Sequence, residues 1–477
     1  MKNLGKSVSK LFRSLTRGRI APYLGLGLLL LILYDPGRME NTSGDTISTR
    51  YWPVAILRHG TITMNPFKES LDGVGYAAVY MNNGNWVPRL DWGMAVFTVP
   101  FYAVIELIQW GEPWTHERVN QVSRWNGIAI AIMLCCLLFA QLRKRVSPEI
   151  AWVACLLFGI STWNWSLAAQ GLTNQAAALI WAVASIWPVE RALTEKKQTQ
   201  ALAYSVLCGW CHALLWATRP SDVFLCAIMP GLLLLRSWRL ATAWLFAALS
   251  ISLPLMMVLE NYYDHPLGFR GLLTAASFGS SLAIYQFNGI EGILGVLFSP
   301  NRGALIFAPV VLLFPWMAQR YFPAIDPRKA FKALPLKGKH LLSPNLSLAL
   351  FWGVFLQFFV LCNTEFWHAT WSYGSRYLFQ LQPFVWFGVA AALQDLRSRL
   401  KVDTFQILLA LSLAWGTWIH ALGHTNYDLY VWNFQHGKRY QMDAWNYSEW
   451  MIQDVWKAGS NLGRYPNIEK RLRDYGF

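Results

Sequence analysis

The chain is short of charge. Asp, Glu, Lys and Arg make up 14% of its 477 residues, against roughly 25% in soluble domains. No polar stretch is long enough to fold alone, which excludes the two or three soluble domains that the length would otherwise allow. Acidic residues are the scarcer sign, 26 against 41 basic ones, for a net charge of +15. Cysteine is missing from the polar loops. All seven (Cys135, Cys136, Cys155, Cys208, Cys211, Cys226 and Cys362) lie in apolar runs, so no disulfide framework is implied. Cys208-Gly-Trp-Cys211 has the spacing of a redox pair but reads, inside an apolar run, as a small-residue packing face. The P-loop, GxGxxG, GxSxG and HExxH patterns are absent, which leaves an ATPase, a Rossmann enzyme and a serine hydrolase without support. No metal or cofactor is expected, and there is no internal repeat or sustained heptad.

What the chain has instead is apolar and aromatic, 55% and 15% of residues respectively. Apolar segments run Ile20–Tyr34, Trp92–Trp110, Asn126–Leu142, Ile150–Ala168, Gln175–Val189, Ala201–Ala217, Val223–Leu235, Ala241–Leu259, Ala304–Trp316, Leu346–Cys362, Phe379–Leu393 and Phe405–Ala421. Runs approaching 20 residues are of membrane-spanning length. The predicted class is an all-α polytopic membrane protein of about 11–13 transmembrane helices, with amphipathic helices in its outer-face loops. The first segment, basic and then apolar without a small-residue cleavage site, reads as an uncleaved signal-anchor.

Basic residues cluster between the runs: Lys2 to Arg19, Arg143-Lys144-Arg145, Lys196-Lys197, Arg236 with Arg239, Arg328 to Lys339, and Arg397 to Lys401. This is a topology signal rather than a nucleic-acid signal. It predicts a cell-membrane protein with a cytoplasmic N-terminus. Asn41–Leu90, Asn261–Arg302, His368–Tyr377 and the Tyr427–Phe477 tail are then expected outside. Strict alternation through twelve segments places Asn261–Arg302 inside instead. One segment between Trp92 and Leu235 is therefore expected to be broken or re-entrant, and the polar-interrupted stretch from Ser161-Thr-Trp-Asn-Trp-Ser166 to Asn174-Gln175 is the candidate.

Three outer loops carry the candidate chemistry. In the first, Asp45 follows Gly44 close to the end of the first apolar run, where a carboxylate can act as a general base; it can equally be a helix N-cap. Thr46 to His59 reads as an amphipathic helix lying in the interface, with Arg50 and Tyr51 on it. Arg89 and Asp91 stand at the loop's far end. In the second, Ser299-Pro-Asn-Arg302-Gly303 precedes an apolar helix and can offer N–H groups and a guanidinium to a phosphate, or be a turn with a snorkelling Arg. The third packs Glu365, His368, Trp371, Tyr373 and Arg376 into one short stretch. Aromatic belts explain the rings but not the three charged or titratable groups, and aromatic faces among polar groups suit sugars. Arg219-Pro-Ser-Asp222 can form an ion pair or a turn.

In these pieces the chain resembles the GT-C superfamily of polytopic glycosyltransferases, in particular mannosyltransferase-like members. The matching residues are Gly44-Asp45-Thr46 with Arg50-Tyr51-Trp52-Pro53 through Gly60, Asn83-Gly84-Asn85 to Val99-Pro100-Phe101-Tyr102, Thr218-Arg219-Pro220, Leu297 through Gly303 to Ala308-Pro309, and Trp371 through Tyr377. They occur in the family's order to about Leu396. The resemblance implies a GT-C-type bundle and transfer of a sugar from a polyprenyl-phosphate donor to a glycan, lipid or protein acceptor on the outer face. It implies Asp45 as base, with Asp91 as second candidate because Asp45 lacks the adjacent acidic partner common in the family. Arg302, His368 and Arg376 are then candidates for the donor phosphate, and Arg50 for orienting Asp45 or a phosphate. Arg89-Leu-Asp91-Trp-Gly93 departs from the family's Tyr-Pro-Pro-Gly-like residues. Residues 1–424 are expected to form the transmembrane catalytic domain, with outer loops at 41–91, 260–303 and 364–377, and 425–477 an outer-face tail. The partners are lipid-linked donor, acceptor and membrane lipid, with no nucleic acid. Two alternatives stay open: a transporter or flippase of lipid-linked sugars, and a catalytically inactive assembly protein of the same fold.

Overall fold

The computed structural model describes residues 19–35, 47–68, 78–80, 84–88, 92–109, 111–268, 289–322, 343–363, 373–398, 402–425 and 451–452. The chain is mostly helical, an all-α polytopic membrane protein. It opens on α1 (Ala21–Tyr34), with Pro22 in its first turn, where a missing N–H costs nothing. Pro22, Leu26, Leu30 and Tyr34 form a buried stripe at four-residue spacing, while Leu24, Leu28 and Ile32 stay exposed. A helix that is apolar all round but covered on one side only is what a lipid-facing position requires.

Then come α2 (Ile47–His59), a short antiparallel hairpin of β1 (Ala78–Tyr80) and β2 (Trp86–Pro88), and α3 (Ala95–Ile108). The hairpin was not anticipated from sequence. α4 (His116–Leu142) has 27 residues, about 40 Å of helix against a hydrocarbon core of about 30 Å. Its surplus rises past the end of α1. Thr115 caps it by accepting from the Arg118 N–H, and Glu117 sits in the first turn, where the helix dipole favours an anion.

α3 corrects the expectation that Trp92–Trp110 crosses the membrane. Asn126 donates to the Phe97 carbonyl and Tyr102 to that of Val119. As α3 advances, it therefore tracks α4 back towards α4's own start. Arg124 of that same stretch binds the last carbonyls of α1, so α3 lies beyond α1's end and never reaches the opposite one. α2 packs there too, in a cluster of Tyr51, Trp52, Val54, Met64, Tyr102 and Val119. Residues 48–55 of α2 are buried, Arg50 included, and only its last turn, Arg58 and His59, is exposed. The helix is thus a covered element rather than one lying half-immersed in an interface.

The remaining elements are α5 (Pro148–Ile160), α6 (Trp163–Ser166), α7 (Asn174–Thr194), α8 (Gln198–Thr218), α9 (Ile228–Arg236), α10 (Trp238–Tyr263), α11 (Gly289–Phe298), α12 (Ala304–Phe307), α13 (Pro309–Leu312), α14 (Phe314–Tyr321), α15 (Pro344–Cys362), α16 (Gln382–Ser398) and α17 (Thr404–Thr425). Among the described residues six helices, α4, α7, α8, α10, α15 and α17, are long and apolar enough to span a membrane. A seventh span is the pair α5 and Trp163–Gln170, bent by 46° at a break. The break falls at Ser161-Thr162, inside the stretch singled out from its polar residues. Among the described residues, α1 and three chained segments, Pro220–Arg236, Ala304–Tyr321 and Arg376–Ser398, run between the same two ends. With α3 removed from the count, the residues flanking Asn261–Arg302 share an end with the first loop. Tyr263 donates to the Pro88 carbonyl, and Trp92 donates to the Tyr263 hydroxyl.

The opposite end holds the basic turns. Arg145 pairs with Glu190, Arg397 donates to Ser147, and Arg320 bridges Asp395 and Asp403. Within the bundle, lipid gives no hydrophobic reason for helices to associate, so close approach must do the work. Gly127 lies so near Gly171 that a Cβ on it would stand 2.4 Å from the Gly171 carbonyl carbon. Gly209, within the Cys208–Cys211 run, approaches the Trp244 carbonyl as closely, which makes that run a packing face against α10.

A topology test follows. A cysteine at exposed Glu112, between α3 and α4, is expected to react with a membrane-impermeant thiol reagent from the same side as one at Asp264. A cysteine at Lys196 is expected to react only from the other side. Glu112 labelling together with Lys196 would restore α3 as a crossing.

Candidate functional site at the loop-bearing end of the bundle

The loop-bearing end gathers polar side chains that apolar passes otherwise exclude. Arg124 is fully buried. Its Nη2 donates to the Tyr34 and Asp35 carbonyls, both at 3.0 Å, and its Nη1 to Gln170 Oε1 at 3.2 Å. Gln170 ends the bent segment and meets His424 Nδ1, whose ring stacks on Trp165. One turn earlier on α17, His420 Nε2 donates to the Phe307 carbonyl at 3.0 Å, and its Nδ1 pairs with Ser166 Oγ at 2.7 Å. A carbonyl can only accept, so Nε2 carries the hydrogen and neutral His420 accepts from Ser166. Such satisfaction is what allows two histidines and an arginine to be buried.

The first loop joins this layer through α4. Arg50 Nη1 donates to Asn120 Oδ1 at 3.2 Å. Asn120 and Arg124 are four residues apart, so they share a face of the helix. Tyr51 shares a hydrogen bond with His116 Nδ1 at the helix start.

The second and third loops meet directly. Ser299 to Gly303 closes a turn, with Gly303 N–H donating to the Ser299 carbonyl at 2.7 Å. That turn aims Arg302 across the end, and its Nη1 donates to the Gly374 carbonyl at 3.2 Å. Gly374 has φ +64, and a Cβ there would stand 2.6 Å from the Phe307 ring. Only glycine meets both demands. Tyr373 beside it is buried, its hydroxyl donating to the Ile419 carbonyl and its own carbonyl accepting from Trp163. Asn301 accepts from the backbone N–H of Met451, which brings the C-terminal tail to the second loop.

A third group is built on Arg219. Its Nε pairs with buried Asp222 at 2.9 Å, so the ion pair foreseen as one option is formed. Its guanidinium lies 5.5 Å from the Tyr377 ring, with Arg376 6.0 Å from the same ring. The Thr218–Pro220 and Trp371–Tyr377 pieces therefore adjoin. So do Gly93 and Thr218, in backbone contact.

Of the residues named from sequence, Arg50, Tyr51, Arg302, Tyr373 and Arg376 all belong to this end. Asp45, Arg89, Asp91, Glu365, His368 and Trp371 lie outside the described residues. Sequence reasoning missed Asn120, Arg124, Gln170, His420 and His424. A signal existed for three of them. Arg124 is the last charge before an apolar run, and His420 and His424 stand four apart inside another, which are intramembrane polar positions of the kind that merit attention by default. Among the described residues, no three His, Cys, Asp or Glu side chains group as a metal site would require. The chemistry on hand is guanidinium chemistry: Arg50, Arg124, Arg219, Arg302 and Arg376 form planar donor forks that match phosphate oxygens.

No family model and no curated protein matches the chain. Solved structures similar in outline are those of oligosaccharyltransferases from the archaeon Archaeoglobus fulgidus. One is AglB in complex with an inhibitory peptide and a dolichol-phosphate, at 10% identity over 91% of this chain and 61% of that one, with a TM-score of 0.46. A second, in complex with Zn and sulfate, has 13% identity over 90% and 57%, with a TM-score of 0.44. A third, tethered to an acceptor peptide containing the NVT sequon, has 11% identity over 91% and 59%, with a TM-score of 0.46. The chain thus spans less than two thirds of each of those structures, and its chemistry is argued from its own residues.

Two substitutions test the layer. Arg124→Gln strands the α1 carbonyls and Gln170, and should cost about 2–4 kcal/mol. Gly374→Ala should cost about 1–3 kcal/mol through strain and the Phe307 clash. Thermal unfolding in detergent reads both, with Gly231→Ala, which meets nothing within 4 Å, as the neutral control.

Proposed function

We propose that the chain is an integral membrane glycosyltransferase that moves a sugar from a polyprenyl-phosphate donor to a hydroxyl of a glycan, lipid or protein acceptor on the outer face of the cell membrane. One observation carries the reading. The pieces that resemble GT-C enzymes are scattered from Gly44 to Tyr377, yet their described parts share one end of the bundle, with Arg302 bonded to Gly374 and Arg219 beside Tyr377. Residues 1–424 form the catalytic domain in this reading, and 425–477 is a tail over the outer face.

The chemistry proceeds as a displacement at the sugar's anomeric carbon. The acceptor's hydroxyl oxygen attacks, its proton passes to Asp45, and the bond to the phosphate oxygen breaks with inversion. Asp91 is the alternative base. Charge grows on the departing polyprenyl phosphate, and preorganised guanidinium groups stabilise it in a site poor in water. Arg302 and Arg376 take the phosphate, and Arg50 orients the base. His368 and Glu365 complete the polar set, and Arg89 and Trp371 frame the sugar; Tyr51 and Tyr373, named for the sugar from sequence, are buried and bonded within the protein, so they support the site rather than line it.

The test is transfer in proteoliposomes from a synthetic polyprenyl-phosphate hexose to a glycoside acceptor. Asp45→Asn should lower turnover by about 10²–10⁴, the usual contribution of a general base, while its gel-filtration profile stays that of the wild type. Wild-type turnover in that variant, with loss in Asp91→Asn, would move the base to Asp91. Retention in both would sink the mechanism. Arg302→Lys keeps the charge but loses the fork, and should cost about 10²–10³ in turnover.

A further inference from the structure

Between α5, α16 and α17, in the half of the bundle away from the candidate site, lies an apolar groove of about 290 Å³. Leu157, Leu393, Leu396 and Leu409 form its walls, with Ala410 and Ala414 along its edge. Both alanines are exposed while lining it, so the groove opens sideways from the bundle. It runs along α17 from Gln406 to Thr417. At 1.5 Å per residue that is about 16 Å, close to half of a hydrocarbon core of about 30 Å.

The basic-turn end of the groove holds an unanswered donor. Asp403 and Gln406 form a capping box at the start of α17: Gln406 Oε1 accepts from the Asp403 N–H, and Asp403 Oδ1 accepts from the Gln406 N–H. The box fixes the amide with its oxygen towards the backbone. Nε2 is left buried with no hydrogen-bond partner, on a side chain that is 2% exposed and lines the groove. A buried amide donor without an acceptor costs about 1–3 kcal/mol. Arg397 follows the lining residue Leu396; it pairs with Glu149 at 3.4 Å and donates to Ser147 through Nη1, yet keeps half of its side chain exposed (52%).

We infer that this groove binds one acyl chain of a membrane phospholipid from the leaflet at the basic end, with an ester carbonyl of the lipid accepting from Gln406 Nε2 and its phosphate facing Arg397. Three features converge on this occupant. The groove is one leaflet deep. Its single unmatched polar group is a donor placed where the chain gives way to esters. The cation stands at the mouth, where an anionic headgroup would lie. The site is separate from the proposed transfer chemistry and stands or falls independently of it.

The experiment uses the full chain in nanodiscs containing phosphatidylglycerol with a photoactivatable diazirine in one acyl chain, with peptides mapped by mass spectrometry. Labelling of the Leu393 and Ala410–Leu413 peptides should exceed that at Phe246 and Met257, exposed positions on α10 that report ordinary bilayer contact. Ala410→Phe should lower groove labelling by about tenfold while the α10 labelling holds. Gln406→Glu keeps the capping acceptor but removes the donor, and should lower it by up to about tenfold as well. Groove labelling no greater than that of α10, or unchanged in Ala410→Phe, overturns the site. Displacement of the label by a polyprenyl phosphate, but not by unlabelled phosphatidylglycerol, overturns the occupant.

Discussion

The guanidinium of Arg124 ties three segments together at one level of the bundle. It closes the open C-terminal carbonyls of α1, where a helix dipole favours a cation. It takes the Gln170 side chain, which terminates the bent segment after α5. It also sets the level at which α4 leaves the bundle, so that the turns before it, with Asn120 and Val119, carry α2 and α3 rather than pass through the bundle. A buried cation is tolerated only when its donors are answered. The carbonyls at a helix end and at a broken helix answer several donors at once without introducing a second charge.

From that layer the rest of the loop-bearing end can be followed outward. Gln170 leads to His424, one turn along α17 His420 reaches Phe307, and Phe307 packs against Tyr373 and excludes any side chain at position 374. Gly374 then presents its carbonyl to Arg302. The contacts are polar in a setting where water is scarce, so each is strong if made and costly if broken.

Much of this was open to a reader of the sequence. Apolar runs are written along the chain one segment at a time, so the polytopic class needed no three-dimensional information. The broken segment was legible because polar residues interrupt an apolar run between Ser161 and Gln175. What could not be read was that Trp92–Trp110 stays at one end. Its composition is that of a spanning helix, and only its pairing with the surplus length of α4 decides otherwise. Arg50 and Arg302 were visible as charges, but their partners, Asn120 and the Gly374 carbonyl, lie 70 and 72 residues away. No local pattern encodes such a separation.

The sequence by itself therefore determined class and the sidedness signal, along with the residue types available for chemistry, because hydropathy and charge act locally against a bilayer. Tertiary structure alone decided which apolar run fails to cross and how Asn120, Arg124 and Gln170 tie α2 to α17. It also decided that the second and third loops close on each other. Those outcomes depend on which buried donor finds which acceptor, and that is settled only when distant segments pack.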